Sequence, residues 1–144
     1  MSPAQDLTQV LAQVPLFQGL SKRQLQGLAA TATQRSYAAG ERIVTQGEGG
    51  IGLFVILSGS AQAIHTAAEG QEIVVNTFGP TDFFGELAML SDEPRTASVV
   101  ATADTECLVL TRWEFLGKLE TDAKMAVVIL QELAKRFQKT LGVL

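Results

Sequence analysis

Phe84–Val99 gathers residue types that together suit an anion. Phe83 and Phe84 lead into Gly85. One turn of helix former, Glu86-Leu87-Ala88-Met89-Leu90, follows, and then an acidic loop, Ser91-Asp92-Glu93-Pro94. The stretch closes with Arg95 and a short run of β character, Thr96–Val99. Glycine lets a backbone approach a ligand closely. The first N–H groups of a helix carry partial positive charge, and a guanidinium adds a full one in a planar fork. Residue chemistry alone points to a pocket for a small phosphate-bearing ligand. Singly, each residue has a plainer reading: Glu86 as an acid complementing a helix start, Arg95 as a surface arginine paired with Asp92 or Glu93. Their spacing, between two β runs, favours the ligand site.

The elements that must hold this stretch are legible from periodicity. Leu7, Val10, Leu11 and Val14 recur at helical spacing, and Pro15 ends that helix. Ser21 with Gln24 reads as a capping box, opening a helix that buries Leu25, Leu28, Ala29 and Ala32 and stops near Thr33. From Arg35 the pattern changes to short β runs: Arg42–Thr45, Gly52–Leu57, Ala61–Thr66, Glu72–Phe78, Thr96–Ala101 and Thr105–Leu110. Turn signals separate them, as in an antiparallel sandwich or barrel. Leu53–Leu57 is apolar on both faces, as a central strand is, whereas Glu72–Phe78 places Ile73, Val75 and Thr77 on one face. After Thr111 the helical period returns, with Trp113, Phe115 and Leu116 in a short helix. Thr121 or Asp122 then caps a last helix with the stripe Met125, Ile129, Leu130, Leu133, Phe137 and Leu141.

Composition narrows the function. The 144 residues suit one domain, with 47% hydrophobic and 18% charged residues. A formal charge of −4 argues against a broad nucleic-acid face. The single Cys107 excludes an internal disulfide and a cysteine-ligated cluster. Met1–Asp6 has no basic n-region, and the longest apolar run, Leu53–Leu57, cannot span a bilayer. No signal peptide and no membrane insertion are expected, and a cytoplasmic location is.

Phe84-Gly85-Glu86-Leu87-Ala88 followed by Pro94-Arg95-Thr96-Ala97 resembles the phosphate-binding cassette of the cyclic nucleotide-binding domain family. Its members include catabolite-activator-type sensors, kinase regulatory subunits and gated ion channels. The resemblance extends through Pro15–Ser21, Tyr37–Glu41, Gln46-Gly47-Glu48 and Leu53–Gly59, and spans Val14 to Leu130. One departure is Thr81, where many members carry glycine before Asp82. The resemblance implies a mainly β fold, an antiparallel jelly-roll β-barrel (double-stranded β-helix) with N-terminal and C-terminal α-helices. Residues 1–144 then form a single domain: helices over 5–33, a β-roll over 34–111, helices over 112–142. It implies that Arg95 pairs with a 3′,5′-cyclic phosphate and Glu86 accepts from the ribose 2′-hydroxyl. The amides of Leu87, Ala88 and Ala97 turn to the phosphate, and Gly85 permits close approach.

Thr96 stays open: its hydroxyl can bond the 2-amino group of a syn guanine and favour cGMP, contact phosphate and leave cAMP acceptable, or only fill a strand. The reading leans to cAMP. His65, the sole histidine, is read as structural or solvent-exposed rather than as a haem ligand, and Cys107 as a small core residue. No metal site and no catalytic residues are expected; the chain is not read as an enzyme. The last helix packs, supplies a lid through Leu133 or Phe137, or forms a homodimer seam, as it does in relatives. Beside such a domain 144 residues leave no room for a helix-turn-helix reader, kinase or pore. The expected output is a shift of the C-terminal helix, sensed by an unidentified effector protein or domain. The alternative is a ligand-free structural or dimerisation domain of the same fold.

Overall fold

The capping box at the second helix forms as its spacing predicts. The Gln24 amide donates to Ser21 Oγ at 3.1 Å, and the Ser21 amide donates to Gln24 Oε1 at 2.9 Å. The structure, a computed structural model, describes residues 3–142, so Met1 and Ser2 of the segment read for a leader lie outside the described residues. Helix α1 (Pro3–Ala12) precedes a 3-10 turn, Pro15–Phe17, and α2 (Lys22–Thr31) follows. Pro15 starts the turn rather than merely ending α1, because its fixed φ suits a first helical position. Leu25 and Leu28 are buried, whereas Ala29 and Ala32, at the margin of that stripe, are half-buried.

After residue 111 come α3 (Arg112–Thr121) and α4 (Ala123–Leu141). Asp122, not Thr121, caps α4: its Oδ1 accepts from the Met125 amide at 3.0 Å. The Thr121 hydroxyl instead donates back to the Gly117 and Lys118 carbonyls. Phe115 of α3 is fully buried against Phe17, ring centroids 5.7 Å apart, while Trp113 is exposed. The helices before residue 32 and after residue 112 form one compact unit, and residues 32–112 form another. Among the described residues no helix is long and apolar enough to cross a membrane.

The second unit is the roll. Its strands are β1 (Thr33–Tyr37), β2 (Arg42–Val44), β3 (Gly52–Ser58), β4 (Ala61–Thr66), β5 (Glu72–Phe78), β6 (Phe83–Phe84), β7 (Ser98–Ala101) and β8 (Thr105–Thr111). They make two four-stranded antiparallel sheets, β1-β8-β3-β6 and β2-β7-β4-β5. This is the mainly β jelly-roll architecture with flanking helices, but the barrel is not closed. No strand pairing joins the two sheets among the described residues. The edge strands β6 and β2, of two and three residues, are too short to carry hydrogen bonding around a corner. Between the sheets lie Phe54, Ile56, Ala61, Ala63, Phe84, Val99, Cys107 and Val109. β3 is buried without alternation from Gly52 to Ile56, as its uniformly apolar run requires.

Two strands leave no periodic signal. β1 is polar and exposed along most of its length and is set by its register on β8, Thr33 opposite Val109 and Tyr37 opposite Thr105. β6 has only two residues. In β5 the expected apolar face does not form. A bulge places Asn76 opposite Ala63 and Val74 opposite Ile64, so Val75 is the extra residue and the alternation slips. Ile73, Val74 and Val75 are each more than half exposed on a strand that pairs only with β4.

Thr81 enters the cassette region in a glycine-like conformation, φ 74°. Its amide donates to the Ile56 carbonyl at 2.8 Å, and the Asp82 carbonyl accepts from Ile56 N–H at 2.8 Å. These bonds hold a β-branched residue in the left-handed region, at a cost of about 1–2 kcal/mol. Thr81→Gly releases that strain and loses part of it to unfolded-chain entropy. The variant is expected to be more stable by about 0.5–1 kcal/mol in urea unfolding; a lower midpoint contradicts the strain.

Candidate functional site

Phe84 anchors the site from below. Its ring stacks on Phe54 at 5.0 Å with planes 3° apart, and Phe78 tilts against it at 5.1 Å. From that anchor the chain turns at Gly85, φ 81°, into a single 3-10 turn, Glu86–Met89. The turn is pinned by Met89, which is fully buried. Four residues carry almost no macrodipole, so the turn offers individual N–H groups rather than the field of a helix. The Ala88 amide is already engaged, donating to the Gly85 carbonyl at 3.0 Å. Glu86 is buried at 6% exposure, Ala88 is half-buried and Leu87 points largely to solvent.

Arg95 arrives on the opposite segment and returns over the same anchor, its guanidinium carbon 6.0 Å from the Phe84 ring centre. Nη2 donates to the Gly52 carbonyl at 3.3 Å, a long bond, and Nε is buried with no hydrogen-bond partner. Neither Asp92 nor Glu93 pairs with it, so the surface-arginine reading fails. Burial lowers the Arg95 pKa, and no carboxylate offsets the loss. A guanidinium stays charged even so. The result is a half-buried cation with one long hydrogen bond and a buried Nε that the protein leaves unpartnered.

Two glycines make room for it. A Cβ on Gly85 would strike the Gly52 carbonyl and stand 2.7 Å from Arg95 Nη2; one on Gly50 would stand 2.9 Å from Arg95 Nε and 2.6 Å from Ala88 Cβ. Gly50 is a residue that sequence reasoning treated only as a turn signal. The loop it belongs to also aligns the Arg95 backbone. The Gly47 amide donates to the Arg95 carbonyl and the Arg95 amide to the Glu48 carbonyl, both at 2.8 Å, and Gly49 bridges Pro94. The Gln46 amide donates to Ser98 Oγ at 2.9 Å. The Gln46 side chain makes a reciprocal pair with Thr66, donating to its carbonyl and accepting from its amide. His65 Nδ1 lies 2.8 Å from the Thr96 carbonyl. A glycine cluster beside a Gln and a lone His was the available signal; nothing in spacing links it to a segment so distant in sequence.

The structure thus brings Gly85, Ala88 and Arg95 around one space, with Glu86 buried in the same turn and Thr96 and Ala97 continuing from the arginine toward β7. Leu133 is half-buried and Phe137 exposed, both on α4 in the other unit. Cys107 is fully buried, and burial, with Glu106 as a smaller cause, pushes its thiol up to about 11, leaving it protonated and unreactive. Among the described residues no group of three His, Cys, Asp or Glu side chains is placed to hold a metal ion.

A family model described as the cyclic nucleotide-binding domain matches residues 34–122. The chain is 33% identical over 125 residues to the cyclic AMP receptor protein of Thermus thermophilus, covering 87% of this chain and 58% of that one. It is 35% identical over 132 residues to the cAMP-dependent protein kinase regulatory subunit of Mycosarcoma maydis, covering 92% of this chain and 22% of that one. The chain therefore spans just over half of one relative and under a quarter of the other. Among solved structures it is similar to the N-terminal domain of a transcriptional regulator from Streptomyces coelicolor, with TM-score 0.85 and 29% identity over 91% of this chain and 94% of that domain.

A guanidinium with a buried, unpartnered Nε lowers the stability of the protein, since an unpaired buried donor costs about 1–3 kcal/mol. Arg95→Met is expected to raise ligand-free stability by on the order of 1 kcal/mol in urea unfolding. Gly85→Ala, with a Cβ driven into backbone at positive φ, is expected to lower it by at least about 1 kcal/mol. A destabilised Arg95→Met protein contradicts this account of the guanidinium.

Proposed function

The chain belongs to the cyclic nucleotide-binding domain family, and from that premise we propose that the space around Arg95 takes a 3′,5′-cyclic nucleotide, cAMP in preference to cGMP. The module is regulatory, with no catalytic activity of its own. The observation that carries the reading is the half-buried guanidinium with an unpartnered Nε, cradled by Gly50 and Gly85. A cyclic phosphodiester brings one negative charge to match it. Glu86, an acceptor when ionised, takes the ribose 2′-hydroxyl and repels a 2′-phosphate. Gly85 lets the phosphate approach, while the amides of Leu87 and Ala97 and the Thr96 hydroxyl complete its shell, joined by the Ala88 amide once it turns from the Gly85 carbonyl it bonds in the empty site. Charge-assisted bonds contribute about 1.5–3 kcal/mol each, so two or three with base contacts reach roughly micromolar affinity, near −8 kcal/mol. Both curated relatives are named for cAMP, which supports that base.

Output runs through α4. Its apolar residues divide between two faces rather than forming one stripe. Met125 and Ile129 are buried with Leu133 half-buried beside them, while Ala123, Val127, Leu130, Ala134, Phe137 and Leu141 are exposed. The exposed set recurs at alternating intervals of four and three, the a/d pattern of a coiled coil, and Val127 and Ala134 are members that sequence reasoning missed. The occupant it fits is α4 of a second copy, in a homodimer. Leu133, on the other face, is then the lid candidate, with Phe137 kept in the seam. Ligand shifts the population between two positions of α4 by its differential affinity for them. An effector protein or domain, in the cytoplasm, reads that shift.

Calorimetry on protein freed of carried-over nucleotide tests the ligand. cAMP is expected to bind at about micromolar Kd and cGMP more weakly. Thr96→Ala should lose affinity for both nucleotides if the hydroxyl meets phosphate. Arg95→Met is expected to lose at least about a hundredfold, near 2.7 kcal/mol. A wild-type protein that binds neither nucleotide is the ligand-free domain instead. Hydrogen exchange over residues 125–141 should change with cAMP. Sedimentation should show a dimer that Leu130→Asp with Phe137→Asp converts to monomer; an unaltered mass for that variant rejects the seam.

A further inference from the structure

We infer that His65 is a positioning residue for the anion pocket. The inference rests on the reading that the pocket takes a cyclic phosphodiester. His65 Nδ1 stands 2.8 Å from the Thr96 carbonyl, and Thr96 is the residue between Arg95 and Ala97. A carbonyl only accepts, so Nδ1 carries the hydrogen and donates, which leaves the lone pair of the neutral ring on Nε2. The bond fixes the plane of the peptide joining Thr96 to Ala97, at the point where the cassette passes into β7. On the Arg95 side the same segment is fixed by Gly47 and Glu48, and beyond it by the Gln46 amide on Ser98 Oγ. Gln46 also clamps Thr66, the residue after His65, so the histidine closes a frame that runs from the 46–50 loop to β4 and back to the cassette.

The test is cAMP affinity of the full chain for wild type, His65→Asn and His65→Leu. Asparagine places an N–H donor where Nδ1 stands, and leucine fills the space without one. His65→Leu is expected to bind about two- to tenfold more weakly, the range for one lost hydrogen bond, and His65→Asn should recover most of that loss. Because His65 is the only histidine, its ring nitrogens are assignable without ambiguity by NMR, and the ring should carry its hydrogen on Nδ1. An Nε2–H tautomer, or a His65→Leu protein with wild-type affinity, overturns the role of His65 alone. A wild type that binds no cAMP overturns the ligand reading and this inference with it.

Discussion

A cation without a counterion is the constraint around which the roll is arranged. Arg95 could have been satisfied by Asp92 or Glu93 in the adjacent loop, at no cost in chain length. Instead the guanidinium is folded inward over Phe84, given one long bond to a carbonyl, and left with Nε unpaired. A donor in that state weakens the empty protein and strengthens any complex that supplies an anion. The stacked Phe54–Phe84 pair and the buried Met89 make the floor rigid enough to hold it there. The glycines at 50 and 85 leave out two Cβ atoms that would collide with the guanidinium.

The backbone around the arginine is built by side chains that imitate a sheet. Gly47 and Glu48 pair with Arg95, and Gly49 with Pro94, but the ladder then stops short of β7. Gln46 and His65 continue it, the first by a reciprocal amide pair with Thr66, the second by a bond to Thr96. Polar side chains thus take the place of strand pairing on either side of Arg95.

Much of this was legible in the sequence, and for identifiable reasons. Long apolar runs such as Leu53–Leu57 announce a central strand because burial on both faces leaves no alternation. The Ser21–Gln24 pair announces a helix start because the capping chemistry is local. Charge and backbone approach made Phe84–Val99 readable as an anion pocket, and its resemblance to a family's motif made it readable as a cyclic nucleotide cassette. What escaped was set by partners distant in the chain. β1 has no apolar pattern and exists because β8 pairs with it. The bulge at Val75 cancels an alternation that looks plausible on paper. The exposed seam of α4 overlaps the buried one, so a single stripe was read where two faces share the helix. Barrel closure failed for a reason of length, since strands of two and three residues cannot turn a corner.

The pairing of β1 with β8 also has a kinetic meaning. The first strand of the roll finds its neighbour in the last, and the Arg95 segment finds its own in the loop around Gly47, so both the sheet and the pocket depend on contacts remote in sequence. Such topologies fold slowly because long loops must close before any contact rewards them. On a ribosome the first sheet remains one strand short until residues 105–111 have emerged. The Arg95 segment likewise meets its partner only after the chain from residue 48 to residue 95 has folded back on itself, so its geometry depends on the closure of that long loop.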